Sequence, residues 1–235
     1  MEAGVKIQMK DKTERIVIVG DGETAELAYE YFTYDSPYEV AAFSVEREYA
    51  RKTELFGLPV VHFEELQERY PPAEYRAFVA ISYTQLNRVR ARLCREARSK
   101  GYSLVSYVSS KAFVWRNAEI GENCFILEHN VIQYAVKIGN NVTLWSGNHI
   151  GHQSVIRDNA FISSHVVVSG YCEVGENCFL GVNSAIANNV RIAPDCIIAM
   201  GAVINRNTEE RKVYKGNPGR PSEVDSFTVF KVKGE

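Results

Sequence analysis

From Val108 to Ile204 an aliphatic branched residue returns at every sixth position, through Val114, Ile120, Ile126, Ile132, Ile138, Leu144, Ile150, Ile156, Ile162, Val168, Val174, Leu180, Ile186, Ile192 and Ile198. A spacing of six fits neither an amphipathic helix nor a heptad, and it exceeds the simple alternation of a half-buried strand. It suits a chain that winds as a solenoid, each six-residue unit forming one short strand and one corner and sending one aliphatic side chain inward. Three units make a triangular coil, so positions eighteen apart are expected to stack, roughly 4.8 Å apart along the axis. The residue two before each aliphatic is small or suited to strands, as at Cys124, Val136, Ser154, Ala160, Cys172, Cys178 and Cys196. Gly121, Gly139, Gly151, Gly175 and Gly181 fall at corners, where positive φ is expected of them, and Asn123, Asn140, Asn141, Asn159, Asn177 and Asn189 suit left-handed turns.

The first hundred residues follow a different rule. Arg15 to Gly20 reads as a short buried strand, and Glu23 to Phe32 as a helix with Ala25, Leu27, Ala28 and Tyr31 available for packing. Further strands are predicted at Tyr38–Phe43, Ala77–Ile81 and Leu104–Val108, with a helix over Leu86–Lys100 that Gly101 stops. Strands alternating with helices imply a small parallel α/β sheet. The division expected is an α/β domain over 1–107, a β-solenoid over 108–208, and a C-terminal loop and tail over 209–235, the last able to pair as an edge strand. Little linker separates the first two.

A length of 235 residues with 46% hydrophobic positions provides for a real core. A net charge of −2 and the lack of any basic block give no support to nucleic-acid binding. No apolar run reaches membrane-spanning length and the start lacks a secretion signal, so a cytoplasmic protein is expected. Four of the five cysteines hold the small inward position and no CxxC pair exists, which argues for reduced, unreactive thiols.

Two places carry candidate chemistry. Gly20-Asp21-Gly22-Glu23-Thr24-Ala25 is a G-x-G-x-x-A turn between strand and helix, where free N–H groups at a helix start favour phosphate. The domain is short for a dinucleotide, so a nucleotide joined to something else fits better. A plain strand-to-helix turn is the alternative. The second place is Asn148-His149-Ile150-Gly151-His152-Gln153, at mid-solenoid. Ile150 points inward there, leaving His149 and His152 to flank it near a corner. Histidine takes protons near neutral pH, and His149, His152 and His165 fall within seventeen residues. Surface corner residues are the alternative reading. His129 and His165 are two coils apart and poor ligands of one ion, so no metal is expected.

A short α/β domain with a glycine turn, followed by hexapeptide repeats with a central histidine and a closing Lys215-Gly216-Asn217-Pro218, resembles the hexapeptide-repeat sugar acyltransferases of the sialic-acid O-acetyltransferase and bacillosamine N-acetyltransferase family. The segments Asn148–His152, Phe161–His165 and Phe179–Asn183 look most like enzymes that acylate nucleotide-linked 4-amino-4,6-dideoxyhexoses for surface polysaccharide. The resemblance spans Arg15 to Pro221. It implies a left-handed parallel β-helix, a homotrimer with the site between subunits, and acetyl-coenzyme A or another acyl-CoA as co-substrate rather than a resident cofactor. By position it implies His152 as catalytic base, supported by Asn148, His149, Gln153 and His165. It assigns Gly20, Asp21, Gly22, Glu23, Thr24, Ser82, Asn87 and Arg88 to the nucleotide-sugar. Gly170, Val182, Met200, Gly201, Lys215, Asn217 and Pro218 are assigned to coenzyme A, with a backbone N–H near Gly170 as a candidate oxyanion donor. Many relatives have an acidic residue after the base, where this chain has Gln153, and some have a histidine where Phe161 stands. An O-acetyltransferase of a sialic-acid-like sugar and a non-catalytic nucleotide-sugar-binding scaffold remain the alternatives.

Overall fold

A computed structural model describes residues 11–217 and Glu223. The α/β part comprises β1 (Glu14–Val19), α1 (Glu23–Asp35), β2 (Tyr38–Val45), β3 (Glu54–Leu55), β4 (Leu58–His62), α2 (Leu66–Arg69), β5 (Tyr75–Val79) and α3 (Arg88–Ser99). The sheet order is β3-β4-β2-β1-β5, with every pairing parallel except the edge pair β3–β4. β1 lies between β2 and β5, and its Ile16-Val17-Ile18-Val19 run is buried on both faces, as expected of a covered parallel strand. α1 buries Ala25, Ala28 and Phe32 along one face, and Glu23 and Glu26 complement the positive end of its dipole.

The hexad stripe is built as expected. Each aliphatic closes a two-residue strand, and partners lie eighteen residues apart in parallel register, as in Val131↔His149↔Val167. The result is a parallel β-helix whose faces hold seven, six and five strands among the described residues. The inward aliphatics from Ile126 onward are all buried, together with the small residues two positions before them. Burial also pushes the Cys94 and Cys178 thiols up to about 12 and the Cys124 thiol up to about 11, so these cysteines serve as small apolar packing groups.

Two expectations about the corners need correction. From Ile120 to Ile198 the left-handed position is three residues after the aliphatic, at Asn123, His129, Ala135, Asn141, Gly147 and onward through Gly201; Asn140 is not among the positive-φ residues. The glycines Gly121, Gly139, Gly151, Gly175 and Gly181 have ordinary φ and are needed instead for close approach. A Cβ on Gly175 would stand 2.6 Å from the Pro194 nitrogen in the next coil.

The outward residue of each strand gives each face its character. One face presents Phe125, Thr143, Phe161 and Phe179 to the α/β domain, and another carries Glu119, Lys137, Glu173 and Arg191, joined in part by Lys137–Glu119 and Arg191–Glu173 ion pairs. The third, with Phe113, Val131, His149, Val167, Ala185 and Val203, is mainly apolar, and Phe113, Val167 and Val203 are exposed.

The domains join at a corner where Asn123, Asn141 and Asn159 form a hydrogen-bonded column. Asn123 pairs with both backbone groups of Val79 at the end of β5, accepting from its N–H at 2.7 Å and donating to its carbonyl at 3.1 Å. The buried Arg90 guanidinium of α3 donates to the Asn141 side chain (2.9 Å), the Asn141 carbonyl (3.0 Å) and the Ile81 carbonyl (3.2 Å). On the other side Tyr31 and Ser146 both donate to the Glu128 carboxylate.

Other differences from the sequence reading are local. The expected strand at Leu104–Val108 divides: Leu104 makes one bridge to Ala77, while Tyr107–Val108 is already the first rung of the solenoid. The β3–β4 pair has no counterpart in the sequence pattern, and a further rung, Val213–Tyr214, lies beyond residue 208. The expected tail strand beyond Ser222 falls outside the described residues, apart from Glu223. Among the described residues no helix is long and apolar enough to cross a membrane.

Candidate functional site

A cleft of about 760 Å³ opens where the α/β sheet meets the solenoid. Its floor is the turn after β1, and it gathers Gly20, Asp21, Gly22, Glu23, Thr24 and Ser82. The Gly20 N–H donates to the Ser44 carbonyl at 2.7 Å, which ties the turn to the end of β2. Gly20 has φ +127, and a Cβ there would lie 2.6 Å from the Ala80 carbonyl oxygen; at Gly22 a Cβ would meet nothing within 4 Å. The first glycine therefore serves the fold, while the second leaves open space above the helix start, where backbone N–H groups are suited to an anion. Ser44, Glu46 and Tyr49 line one side, and Tyr83, Thr143, Trp145 and Phe161 the other. No motif or spacing along the chain marks Ser44, Glu46, Tyr49, Tyr83, Thr143 or Trp145 as cleft residues. Asp35 lies elsewhere, accepting from the Tyr107 hydroxyl and the Ser110 N–H.

Asn87 and Arg88 do not reach this cleft. Asn87 is fully buried and left-handed (φ 66), with its amide directed at the carbonyls of Asn177 and Cys178. Arg88 pairs with Asp195 at 2.7 Å. Both belong to the domain junction, because the chain after Ser82 turns sharply into α3 against the solenoid corner.

His152 occupies the corner after the His149–Ile150 rung and lines a groove of about 290 Å³ with Phe113, Trp115, Val131, Gln133 and Tyr134. Its ring lies over Gly170 in the next coil, where a Cβ would stand 2.6 Å from the imidazole, and edge-on to Tyr171 at 4.9 Å between centroids. Gln133 Oε1 accepts from the His152 backbone N–H at 2.9 Å and stands 3.3 Å from Nδ1. A backbone N–H can only donate, so the amide oxygen, not its nitrogen, faces the ring. That oxygen calls for a proton on Nδ1 and leaves Nε2 as the free base.

The supporting residues inferred from the resemblance scatter around this centre. Gln153 is exposed at the left-handed corner position, so the neutral amide beside the ring comes from Gln133, one coil earlier. Asn148 is buried; its side chain accepts from the Val166 N–H at 2.7 Å and donates to the Trp145 carbonyl. His149 is half-buried on the apolar face between Val131 and Val167. His165 is at the other corner of that face, its ring over Gly147. Among the described residues no three potential metal ligands gather.

The residues assigned to coenzyme A divide between the same two corners. Gly170 lies beneath His152, and its N–H is already donated to Asn188 at 2.9 Å, which removes it as an oxyanion donor. Val182 and Met200, eighteen apart, stand exposed at the far corner with Gly201. Gly216 brings the Lys215–Asn217 loop there, since a Cβ on it would lie 2.1 Å from the Met200 carbonyl oxygen. Pro218 lies outside the described residues.

Residues 117–152, 135–170 and 171–206 match the family described as bacterial transferase hexapeptide (six repeats). No curated protein sequence matches the chain. Among solved structures, a histidine-to-asparagine variant of perosamine N-acetyltransferase from Caulobacter crescentus, in complex with CoA and GDP-perosamine, is similar over 87% of this chain and 98% of its own, at 26% identity and a TM-score of 0.76. The acetyltransferase domain of PglB from Neisseria gonorrhoeae shares the fold at 20% identity, over 89% and 100% of the two chains (TM-score 0.74). WeeI from Acinetobacter baumannii does so at 20% identity, over 88% and 99% (TM-score 0.73).

The contrast between the two turn glycines is testable by urea unfolding. Gly20→Ala, strained in φ and against a carbonyl, is expected to cost about 2–4 kcal/mol. Gly22→Ala is expected to cost at most about 1 kcal/mol, the difference between these residues as helix caps.

Proposed function

We propose that this hexapeptide-repeat protein transfers an acyl group, acetyl in the first instance, from acyl-coenzyme A to the amine of a nucleotide-linked amino sugar of the 4-amino-4,6-dideoxyhexose type. The observation that carries this reading is an imidazole oriented for base chemistry on a chain that also holds a glycine-turn cleft. The fold is that of a similar enzyme bound to CoA and GDP-perosamine. The helix-start N–H groups at the Gly20–Thr24 turn bind the diphosphate, and the aromatic wall of the solenoid confines the sugar. With two substrates found in cell interiors and five buried free thiols, the protein works in the cytoplasm.

In the reaction the sugar amine attacks the thioester carbonyl; the new C–N bond forms as the C–S bond breaks and coenzyme A leaves as the thiolate. His152 Nε2 takes the proton lost by the amine and returns it to the departing sulfur. Gln133 holds the ring by its Nδ1 edge, and no covalent enzyme intermediate is formed.

The cleft and the His152 groove share no lining residue. They lie on different faces of one chain, so a complete site needs a second copy. The exposed apolar face, with the His152–Gly170 corner at one edge and the Val182–Met200 corner at the other, fits a head-to-tail contact that closes as a trimer. Coenzyme A then lies in the seam, against Gly170 of one copy and against Val182, Met200, Gly201 and the Lys215–Asn217 loop of its neighbour.

A thiol-release assay with acetyl-CoA and a GDP-linked 4-amino-4,6-dideoxyhexose is expected to show one thiol per amide formed; no release with any nucleotide-linked amino sugar rejects the proposal. In the same assay His152→Asn is expected to lower kcat by about 10²–10⁴-fold, and near-normal turnover removes it from the role. Gln133→Glu sets a negative charge beside the ring and favours its protonated form, so the acid limb of the pH–rate profile is expected to move to higher pH by about one unit. An unmoved limb separates Gln133 from the base. Finally, His152→Asn and Gly22→Phe chains, each inactive alone, are expected to regain activity when co-expressed. A mixture that stays inactive places the site within one chain.

A further inference from the structure

The cleft sits at the carboxyl ends of β1, β2 and β5, where β1 has neighbours on both sides. The glycine turn that receives the phosphates follows β1, and Glu46 follows β2 directly. In sheets of this build, a carboxylate at the end of the neighbouring strand stands beside the sugar of a nucleotide whose phosphates lie over the turn. Glu46 meets that condition: it lines the cleft and its side chain is only 17% exposed.

Its carboxylate is held rather than free. Arg92 approaches it with a two-pronged contact, one guanidinium nitrogen 2.8 Å from Oε1 and the other 2.9 Å from Oε2, and Glu96 braces Arg92 from behind at 3.0 Å. The fork uses one acceptor site on each oxygen and leaves the others open. An ionised carboxylate accepts and does not donate, so it repels phosphate and calls for a ligand carrying hydroxyl or N–H donors. In the same wall the Ser44 hydroxyl is buried with no hydrogen-bond partner, a polar group the fold itself does not satisfy.

Resting on the nucleotide-sugar reading above, we infer that Glu46 accepts hydrogen bonds from the vicinal hydroxyls of the nucleotide's ribose, so that the chain selects ribonucleotide-linked sugars over deoxyribonucleotide-linked ones. A 2′-deoxyribose lacks one donor and leaves a partly buried carboxylate oxygen short of a partner.

Titration calorimetry on the full chain, with GDP against 2′-deoxy-GDP and UDP against 2′-deoxy-UDP, tests this with the base held constant. The ribose form of whichever base binds is expected to be about 10- to 100-fold tighter, the range of a hydrogen bond to a charged group. Glu46→Gln, which keeps the shape, and Glu46→Asp, which keeps the charge but withdraws it, are each expected to reduce that ratio to about 3-fold or less. Equal affinities in the unaltered chain overturn the inference and leave the nucleotide cleft standing, including the case in which Glu46 contacts the base. A ratio that persists in both variants takes the role from Glu46. If none of the four nucleotides binds, the nucleotide-sugar reading fails along with the inference.

Discussion

Hydrogen bonds between successive coils set everything else in this molecule. The His149 N–H donates to the Val166 carbonyl at 2.9 Å, the Val131 N–H to the Asn148 carbonyl at 2.8 Å, and the same step recurs along the solenoid. Each residue therefore has fixed neighbours eighteen positions before and after it. A ring can lie over an adjacent coil only where that coil has no Cβ, which is why His152 rests on Gly170 in the coil after it and His165 on Gly147 in the coil before it. Close packing of this kind makes the glycine as much a part of the site as the imidazole.

The same stacking turns single side chains into columns, and the columns divide the work. Aromatic outward residues face the α/β domain and form a wall of the cleft, while an asparagine column at the adjoining corner provides the socket for β5 and α3. Arg90 enters that socket as a buried cation surrounded by carbonyl and amide oxygens. Burial lowers its pKa to about 10, still well above neutrality, so it stays charged and the domain junction is held by directional bonds rather than by apolar contact alone.

Much of this was legible along the chain. The hexad stripe announced the solenoid because one inward aliphatic per strand is the minimum such a coil needs, and the glycine turn announced a strand-to-helix junction. His152 was legible as a polar corner residue in an aliphatic register. The β3–β4 pair was not, since Glu54–Leu55 and Leu58–His62 are too short and too interrupted by Gly57 and Pro59 to show a period. The resemblance implies Asn87 and Arg88 as nucleotide-sugar contacts, yet three successive left-handed residues, Gln85, Leu86 and Asn87, swing the chain into the junction instead. The eighteen-residue register carries a signal for Gln133: subtracting eighteen from Gly151 places it, with Tyr134, directly beside the histidine corner.

The sequence by itself determined the repeat, the number of residues per coil and the identity of the inward core, because those depend on periodicity within one strand of text. Only the tertiary structure decided which side chains meet. The α/β domain docks on one face out of three through Asn123, Asn141 and Arg90, and that choice closes the cleft over Trp145 and Phe161 while leaving His152 on a different face. Contacts across a domain junction depend on the three-dimensional fit of surfaces distant in sequence, and no local spacing encodes them.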